Sequence, residues 1–198
     1  VVLIFLRDTP SSMGLPPVEI YKGEEKPGEL AAELQPSESY WQIVTRYILL
    51  NPYMWVISFA NLSVYVLRYA QMTWGPTFLQ EYKHLSVVTA GWLYFGAEMG
   101  GMVGALVAGF ATDRIFNGRA GRVCVIAMIL MAFAVFAFWK TPAEYRFISG
   151  VLYIVMAFLL YVPQMLIAAM AMNLGTKRAS AAAVGLTGII GYASTIIT

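Results

Sequence analysis

Charge is scarce in this chain. Of its 198 residues, 12% are charged and 59% are hydrophobic, whereas soluble domains carry about a quarter charged residues. The formal net charge of +2 gives no electrostatic footprint for nucleic acid. This composition argues against a soluble enzyme and against a nucleic-acid partner, and it favours a helical membrane protein.

Cysteine and histidine are almost absent. Cys124 is the single cysteine and His84 the single histidine. One cysteine excludes an intramolecular disulfide and a cysteine-based metal cluster, and His84 has no second histidine near it in the sequence. The chain also lacks a nucleophile motif and a glycine-rich phosphate loop in the right context. We therefore predict no catalytic residue, no metal site and no cofactor.

Long apolar runs fill the chain after Arg46. A bilayer core requires about 20 helical residues, and only helices and closed barrels satisfy every backbone group in lipid. The runs are too long and too uniformly apolar for barrel strands. We predict an all-α integral membrane protein with four complete spans and a fifth that is truncated, over residues 52–78, 87–111, 123–139, 147–174 and 179–198.

The first 47 residues differ from the rest. Residues 1–6 are apolar but too few to span a bilayer, so we predict that they end a preceding transmembrane helix. Residues 7–47 are polar and rich in proline and acidic residues, as connecting segments are. Residues 48–198 are then predicted to form the transmembrane part.

Basic residues are distributed unevenly among the predicted loops. Nine lie on one side of the membrane, including those of residues 7–47, and three lie on the other, namely Lys83, Lys140 and Arg146. Cytoplasmic loops are richer in lysine and arginine. We therefore predict that residues 7–47 are cytoplasmic and that the chain crosses the cell (inner) membrane several times.

Arg68 is the one basic residue of the thirteen that does not lie in a predicted loop. It lies near the middle of the first predicted span. A charge there costs about 3 kcal/mol even on lenient insertion scales. A guanidinium matches the oxygens of phosphate or carboxylate, so Arg68 predicts an anion-binding site. Asn61 and Tyr65 share its helical face and are candidate ligand-binding residues. The alternative is a structural ion pair between Arg68 and an acid elsewhere in the bundle.

Glu98 is the only acid within a predicted span. It is a candidate coupling residue or proton carrier, and a candidate ion-pair partner of Arg68 when no ligand is bound. Small residues recur every four positions around it, which predicts close packing of another helix. Tyr161 and Gln164, three residues apart, and Tyr192 are further candidates for the binding cavity.

One loop and three longer stretches resemble a known family. The loop GFATDRIFNGR contains Asp113, Arg114 and Arg119, and it resembles the Gly-x-x-x-Asp-Arg…Gly-Arg gating loop of the major facilitator superfamily. The longer stretches are similar to the organophosphate:phosphate antiporter branch, in particular to bacterial glycerol-3-phosphate transporters. They read LRDTPSSMGLPPVEIYKGEE, VYVLRYAQMTWGPTFLQEYKH, and YVPQMLI followed by GTKRASAAAVGLTGIIGY.

The resemblance implies that the chain is the C-terminal half of a twelve-helix transporter, with about five of its helices. Residues 7–47 would join this half to a missing N-terminal half. The function implied is exchange of an organic phosphate, with glycerol 3-phosphate as the first candidate, for inorganic phosphate by alternating access. Arg68 matches the phosphate-binding arginine of the family, Tyr65 matches a tyrosine beside it, and polar cavity positions match Glu98, Tyr161 and Tyr192.

Other functions stay open, since fold does not determine function. One is an antiporter for another phosphate ester, such as hexose 6-phosphate. A second is a membrane sensor of a sugar phosphate with the same fold. A third is an integral membrane enzyme acting on phosphorylated lipid or sugar, for which this sequence offers neither a nucleophile nor a metal site.

Overall fold

The computed structural model describes residues 39–175 and 179–196, and the predictions for residues 1–38 lie outside them. A short helix, α1 (Tyr40–Val44), continues as a π-helical turn (Thr45–Leu49) and meets the next helix at a 66° bend. The following helices are α2 (Pro52–Glu81), α3 (Val87–Phe110), α4 (Ala120–Lys140), α5 (Arg146–Leu174) and α6 (Ser180–Tyr192). A π-helical turn (Ala111–Ile115) extends α3, and a 3-10 turn (Ala193–Ile196) follows α6.

Within residues 39–175 and 179–196, three helices are long and apolar enough to cross a bilayer by themselves, namely Val87–Ile115, Ala120–Lys140 and Arg146–Leu174. α2 has 30 residues but meets that criterion only together with the bent segment before it, and Ser180–Ile196 is shorter. Polar side chains such as Asn61, Arg68 and Gln71 lower the hydropathy of α2. Where four complete spans were predicted, the described part of the chain thus has three such helices, or four if the bent pair counts as one span.

Local sequence signals determine where several helices begin. Asn51 accepts a hydrogen bond from the backbone two residues ahead, and Pro52 is the first residue of α2, a position that tolerates proline. Ser86 caps α3. The turn before α4 contains Asn117 and Gly118 at φ 50° and 76°, a conformation that favours these two residue types.

α5 is the central helix and contacts α2, α3, α4 and α6. Its contact with α3 depends on the predicted small residues. A Cβ on Gly100 would lie 2.8 Å from the side chain of Ile154, and a Cβ on Gly104 would collide with the carbonyl of Phe158. The predicted packing role of this stripe is confirmed, since small residues let the two backbones approach closely.

Lys83, counted above among the basic residues of the predicted loops, is buried. Its ammonium donates to the carbonyl oxygens of Phe138, at 3.0 Å, and of Thr141, at the C-terminal end of α4. Carbonyls at a helix C-terminus lack helical partners and favour a cation. Burial lowers the pKa of Lys83. Lys83 therefore attaches the α2–α3 turn to α4, which its position in a polar loop did not predict.

Candidate functional site

Arg68 and Glu98 form an ion pair inside the helical bundle and join α2 to α3. Arg68 Nη2 lies 3.2 Å from Glu98 Oε2. The two side chains are 20% and 30% exposed, so the ion pair is partly buried. The sequence left open whether these residues pair, and in this structure they do.

Tyr161 of α5 adds a third helix to this pair. Its hydroxyl donates to Glu98 Oε2, and the Arg68 guanidinium carbon lies 4.3 Å from the centre of its ring. Such a cation–π contact contributes about 0.5–2 kcal/mol, depending on desolvation. The ring packs against Gly101, where any Cβ would collide with it. We call Arg68, Glu98 and Tyr161 the charged cluster.

Tyr65 and Tyr192 meet one helical turn from the charged cluster. Their rings are 5.3 Å apart at 75°, an edge-to-face contact that joins α2 to the end of α6. Tyr65 precedes Arg68 by three residues and so lies close to its face of α2. Tyr192 is 56% exposed. The structure therefore places Tyr192 against Tyr65, two of the three tyrosines predicted for the site, with Tyr65 one turn of α2 from Arg68.

Asn61 and Gln164 have different surroundings from those of the charged cluster. Asn61 is buried, and its side-chain nitrogen donates to the carbonyl of Thr187 in α6 at 2.9 Å, beside Gly191. Gln164 follows Tyr161 by three residues, and its side-chain oxygen is buried without a donor among the described residues. Asn61 thus joins two helices, while Gln164 retains an unused acceptor.

The predicted gating loop lies between α3 and α4. Asp113 and Arg114 belong to the π-helical turn, and Arg119 directly precedes α4. All three side chains are exposed, and within the described part of the chain none of them forms an ion pair. The backbone of Gly118 donates to the carbonyl of Thr112 at 2.8 Å and closes the turn. Gating by this loop stays a prediction.

One polar contact near the charged cluster was not predicted from the sequence. Gln71 of α2 and Tyr153 of α5 exchange hydrogen bonds. The available signal was Gln71 itself, a polar residue three positions beyond Arg68 in an apolar run. Its partner depends on how the two helices are aligned, which one sequence does not reveal. The described residues contain no group of three or more His, Cys, Asp or Glu side chains suited to a metal ion.

Comparison with known proteins places this site in a family, because the model of the Major Facilitator Superfamily matches residues 1–198. The chain belongs to the major facilitator superfamily. Among its relatives, the glycerol-3-phosphate transporter of Bacillus subtilis (strain 168) is 36% identical over 191 residues, which are 96% of this chain and 43% of the relative. The predicted family and all-α membrane fold are confirmed.

Two further relatives have other names. A probable hexose phosphate transport protein of Chlamydia pneumoniae is 35% identical over 196 residues, covering 94% of this chain and 43% of the relative. The membrane sensor protein UhpC of Escherichia coli (strain K12) is 34% identical over 188 residues, covering 94% and 42%. This major facilitator superfamily chain therefore spans less than half the length of these relatives.

Proposed function

We propose that the full-length protein containing this chain exchanges an organic phosphate for inorganic phosphate across the cell (inner) membrane by alternating access. Glycerol 3-phosphate is the first candidate, and hexose 6-phosphate is the second. The observation that carries the proposal is the Arg68 guanidinium, held inside the bundle by a carboxylate at 3.2 Å. The relatives, which include a glycerol-3-phosphate transporter, support the same substrate class.

A phosphate would compete with Glu98 for Arg68. Both groups present oxygens to the guanidinium, but a phosphate monoester carries up to two charges and can accept two parallel hydrogen bonds from the arginine fork. Glu98 keeps the Tyr161 hydroxyl as a donor when Arg68 turns to the ligand. Binding would thus replace one anion by another, so the guanidinium has an anionic partner with or without substrate.

The rest of the proposed site surrounds this exchange of partners. Tyr65 and Tyr192 would contact the ligand beside Arg68, and Gln164 would offer its unused oxygen to a ligand hydroxyl. The N-terminal half of the polypeptide would supply the opposite wall, with the site near the bilayer midplane between the halves. Phosphate ester, inorganic phosphate and lipid bilayer are the proposed partners. No cofactor is proposed.

Substitution of Arg68 tests the proposal. We expect Arg68→Lys in the full-length protein to abolish exchange of radiolabelled phosphate in vesicles, because a lysine offers a point charge instead of the bidentate fork. The assay uses counterflow against a panel of phosphate esters. The matched control is Arg146→Lys, an exposed residue at the start of α5. Near-normal exchange by Arg68→Lys, at equal amounts of protein in the membrane, contradicts the proposal.

A sensor of a sugar phosphate is the second candidate, and the 34% identity to a membrane sensor protein favours it. The same charged cluster would then bind the ester and report it to a partner protein. Vesicles distinguish the two functions. A sensor binds the ester, for instance in a thermal-shift titration, but shows no counterflow of labelled phosphate, whereas a transporter shows both.

A further inference from the structure

Gln71 and Tyr153 hold α2 and α5 together through two hydrogen bonds that run in opposite directions. The Gln71 side-chain nitrogen donates to the Tyr153 carbonyl at 3.3 Å, and the Tyr153 hydroxyl donates to the Gln71 carbonyl at 3.2 Å. Each side chain thus donates a hydrogen bond to a backbone carbonyl of the other helix. Tyr153 is among the largest fully buried side chains of the described chain. Two such bonds resist both sliding and rotation of one helix against the other.

Gly75 makes room for this contact. A Cβ there would collide with the Tyr153 hydroxyl and would lie 3.0 Å from two ring carbons. The next residue, Pro76, lies inside α2 and has no N–H, so the helix loses one of its own hydrogen bonds at this turn. The contact between α2 and α5 therefore supports α2 where its own bonding is interrupted.

The same two helices carry members of the charged cluster. Arg68 precedes Gln71 by three residues on α2, and Tyr161 follows Tyr153 by eight residues on α5. One residue along a helix corresponds to about 1.5 Å. A slip of α2 by a single residue would therefore move the guanidinium by about 1.5 Å relative to the Tyr161 ring, which is now 4.3 Å away. A displacement of this size is enough to break a hydrogen bond.

We propose that Gln71 and Tyr153, the latter packed against Gly75, are positioning residues that hold Arg68 in register with Tyr161 and Glu98. They act through Arg68 and need not touch the ligand. The proposal rests on the proposed function for its transport readout, but the helix contact itself has a separate readout. It assigns a role to polar groups that the charged cluster does not contain.

Three substitutions remove the contact in the full-length protein. Gln71→Leu and Tyr153→Phe each delete one hydrogen bond at nearly constant volume, and Gly75→Ala pushes Tyr153 away. Loss of one hydrogen bond predicts an increase of about 3- to 10-fold in the half-saturating concentration of phosphate ester. The maximal exchange rate per protein is expected to change less. A purely structural role would instead lower the amount of functional protein and leave half-saturation unchanged.

Matched controls make the same substitutions elsewhere. Gln80→Leu removes a glutamine that bonds only within α2, Tyr82→Phe alters an exposed tyrosine, and Gly91→Ala adds a Cβ in open space. We expect all three controls to keep the half-saturation of the unaltered protein. If the test variants behave like these controls, or lose only protein amount and maximal rate, the positioning role is overturned.

Hydrogen–deuterium exchange separates this proposal from the proposed function. Amides of residues 68–78 are expected to exchange faster in Tyr153→Phe than in Tyr82→Phe, because α2 loses its support near Pro76. If the unaltered protein exchanges no phosphate ester, the proposed function fails. The amide exchange of residues 68–78 then remains as the test of whether the contact between Gln71 and Tyr153 supports α2. If transport occurs but neither amide exchange nor half-saturation changes in the test variants, the positioning proposal fails while the transport function stands.

Discussion

At the scale of residues, the placement of charge explains the site. Arg68 has a carboxylate at 3.2 Å and an aromatic ring at 4.3 Å, which compensate for the removal of a guanidinium from water. Glu98 in turn receives the Tyr161 hydroxyl. Each charged group of the cluster thus has a partner without ligand, and a ligand must compete for Arg68.

Removing the competing carboxylate should strengthen phosphate binding. We expect Glu98→Gln to lower the Kd of inorganic phosphate for the full-length protein about 2- to 5-fold, since a partly exposed ion pair contributes at most about 1 kcal/mol. Isothermal titration of the purified protein measures this change, with Glu144→Gln in an exposed loop as the control. Unchanged or weaker binding would mean that phosphate binds without displacing Glu98 from Arg68.

The two charged residues of the cluster could be found from the sequence because a charge in an apolar run is conspicuous. Arg68 and Glu98 are the two such residues, and their pairing was one of the open alternatives. Lys83 and Tyr153 could not be found in that way. Lys83 lies in a polar loop, where a cation looks solvated, and its burial depends on the distant end of α4. Tyr153 is one aromatic among many until the alignment of α2 and α5 is known.

At the scale of elements, apolar runs predicted the long helices well and their ends less well. α4 and α5 extend slightly beyond the predicted spans, and the π-helical turn Ala111–Ile115 continues α3 past position 111, because helices continue through flanking polar residues until a cap or turn ends them. The structure also contains α1, within a segment that its composition marked as connecting. Ile43 and Val44 of α1 and Ile48 of the π-helical turn share a buried apolar cluster with residues of α2, α5 and α6, a tertiary contact that local composition does not encode.

The contact between α3 and α5 should not tolerate a methyl group at its narrowest point. Gly104→Ala would place a Cβ against the backbone carbonyl of Phe158, and backbone atoms cannot rotate away. We expect a loss of about 1–3 kcal/mol in the free energy of unfolding, typical of overpacked cores. Thermal unfolding of the full-length protein in detergent measures the change.

A control for this prediction lies on the same helix. Gly109→Ala adds a methyl group where no neighbour within 4 Å is found in the described chain, so it should be neutral or slightly stabilising through its better helix propensity. Equal melting temperatures for the two variants would show that α3 and α5 can separate at little cost. The close approach would then not be needed to hold Glu98 near Tyr161.

At the scale of the whole molecule, the family accounts for an incomplete site. The chain covers 43% of the glycerol-3-phosphate transporter that it matches, and transporters of this superfamily bind substrate between two halves. The partly exposed Arg68–Glu98 pair fits the proposal that the ligand binds between this part of the protein and the remainder. Composition alone could predict the membrane class, but it could not predict the substrate, because the proposed site would include residues outside this chain.

The orientation of the chain in the membrane is a prediction about the whole molecule. The charge bias predicts that residues 7–47 and the α3–α4 loop are cytoplasmic and that the α4–α5 loop is external. In a full-length background without other cysteines, with Cys124 also replaced, a membrane-impermeant maleimide should label Glu144→Cys in intact cells. Ser12→Cys, and Arg122→Cys in the exposed first turn of α4 next to the α3–α4 loop, should react only after permeabilisation. The reverse pattern would invert the topology and, with it, the side from which phosphate reaches Arg68.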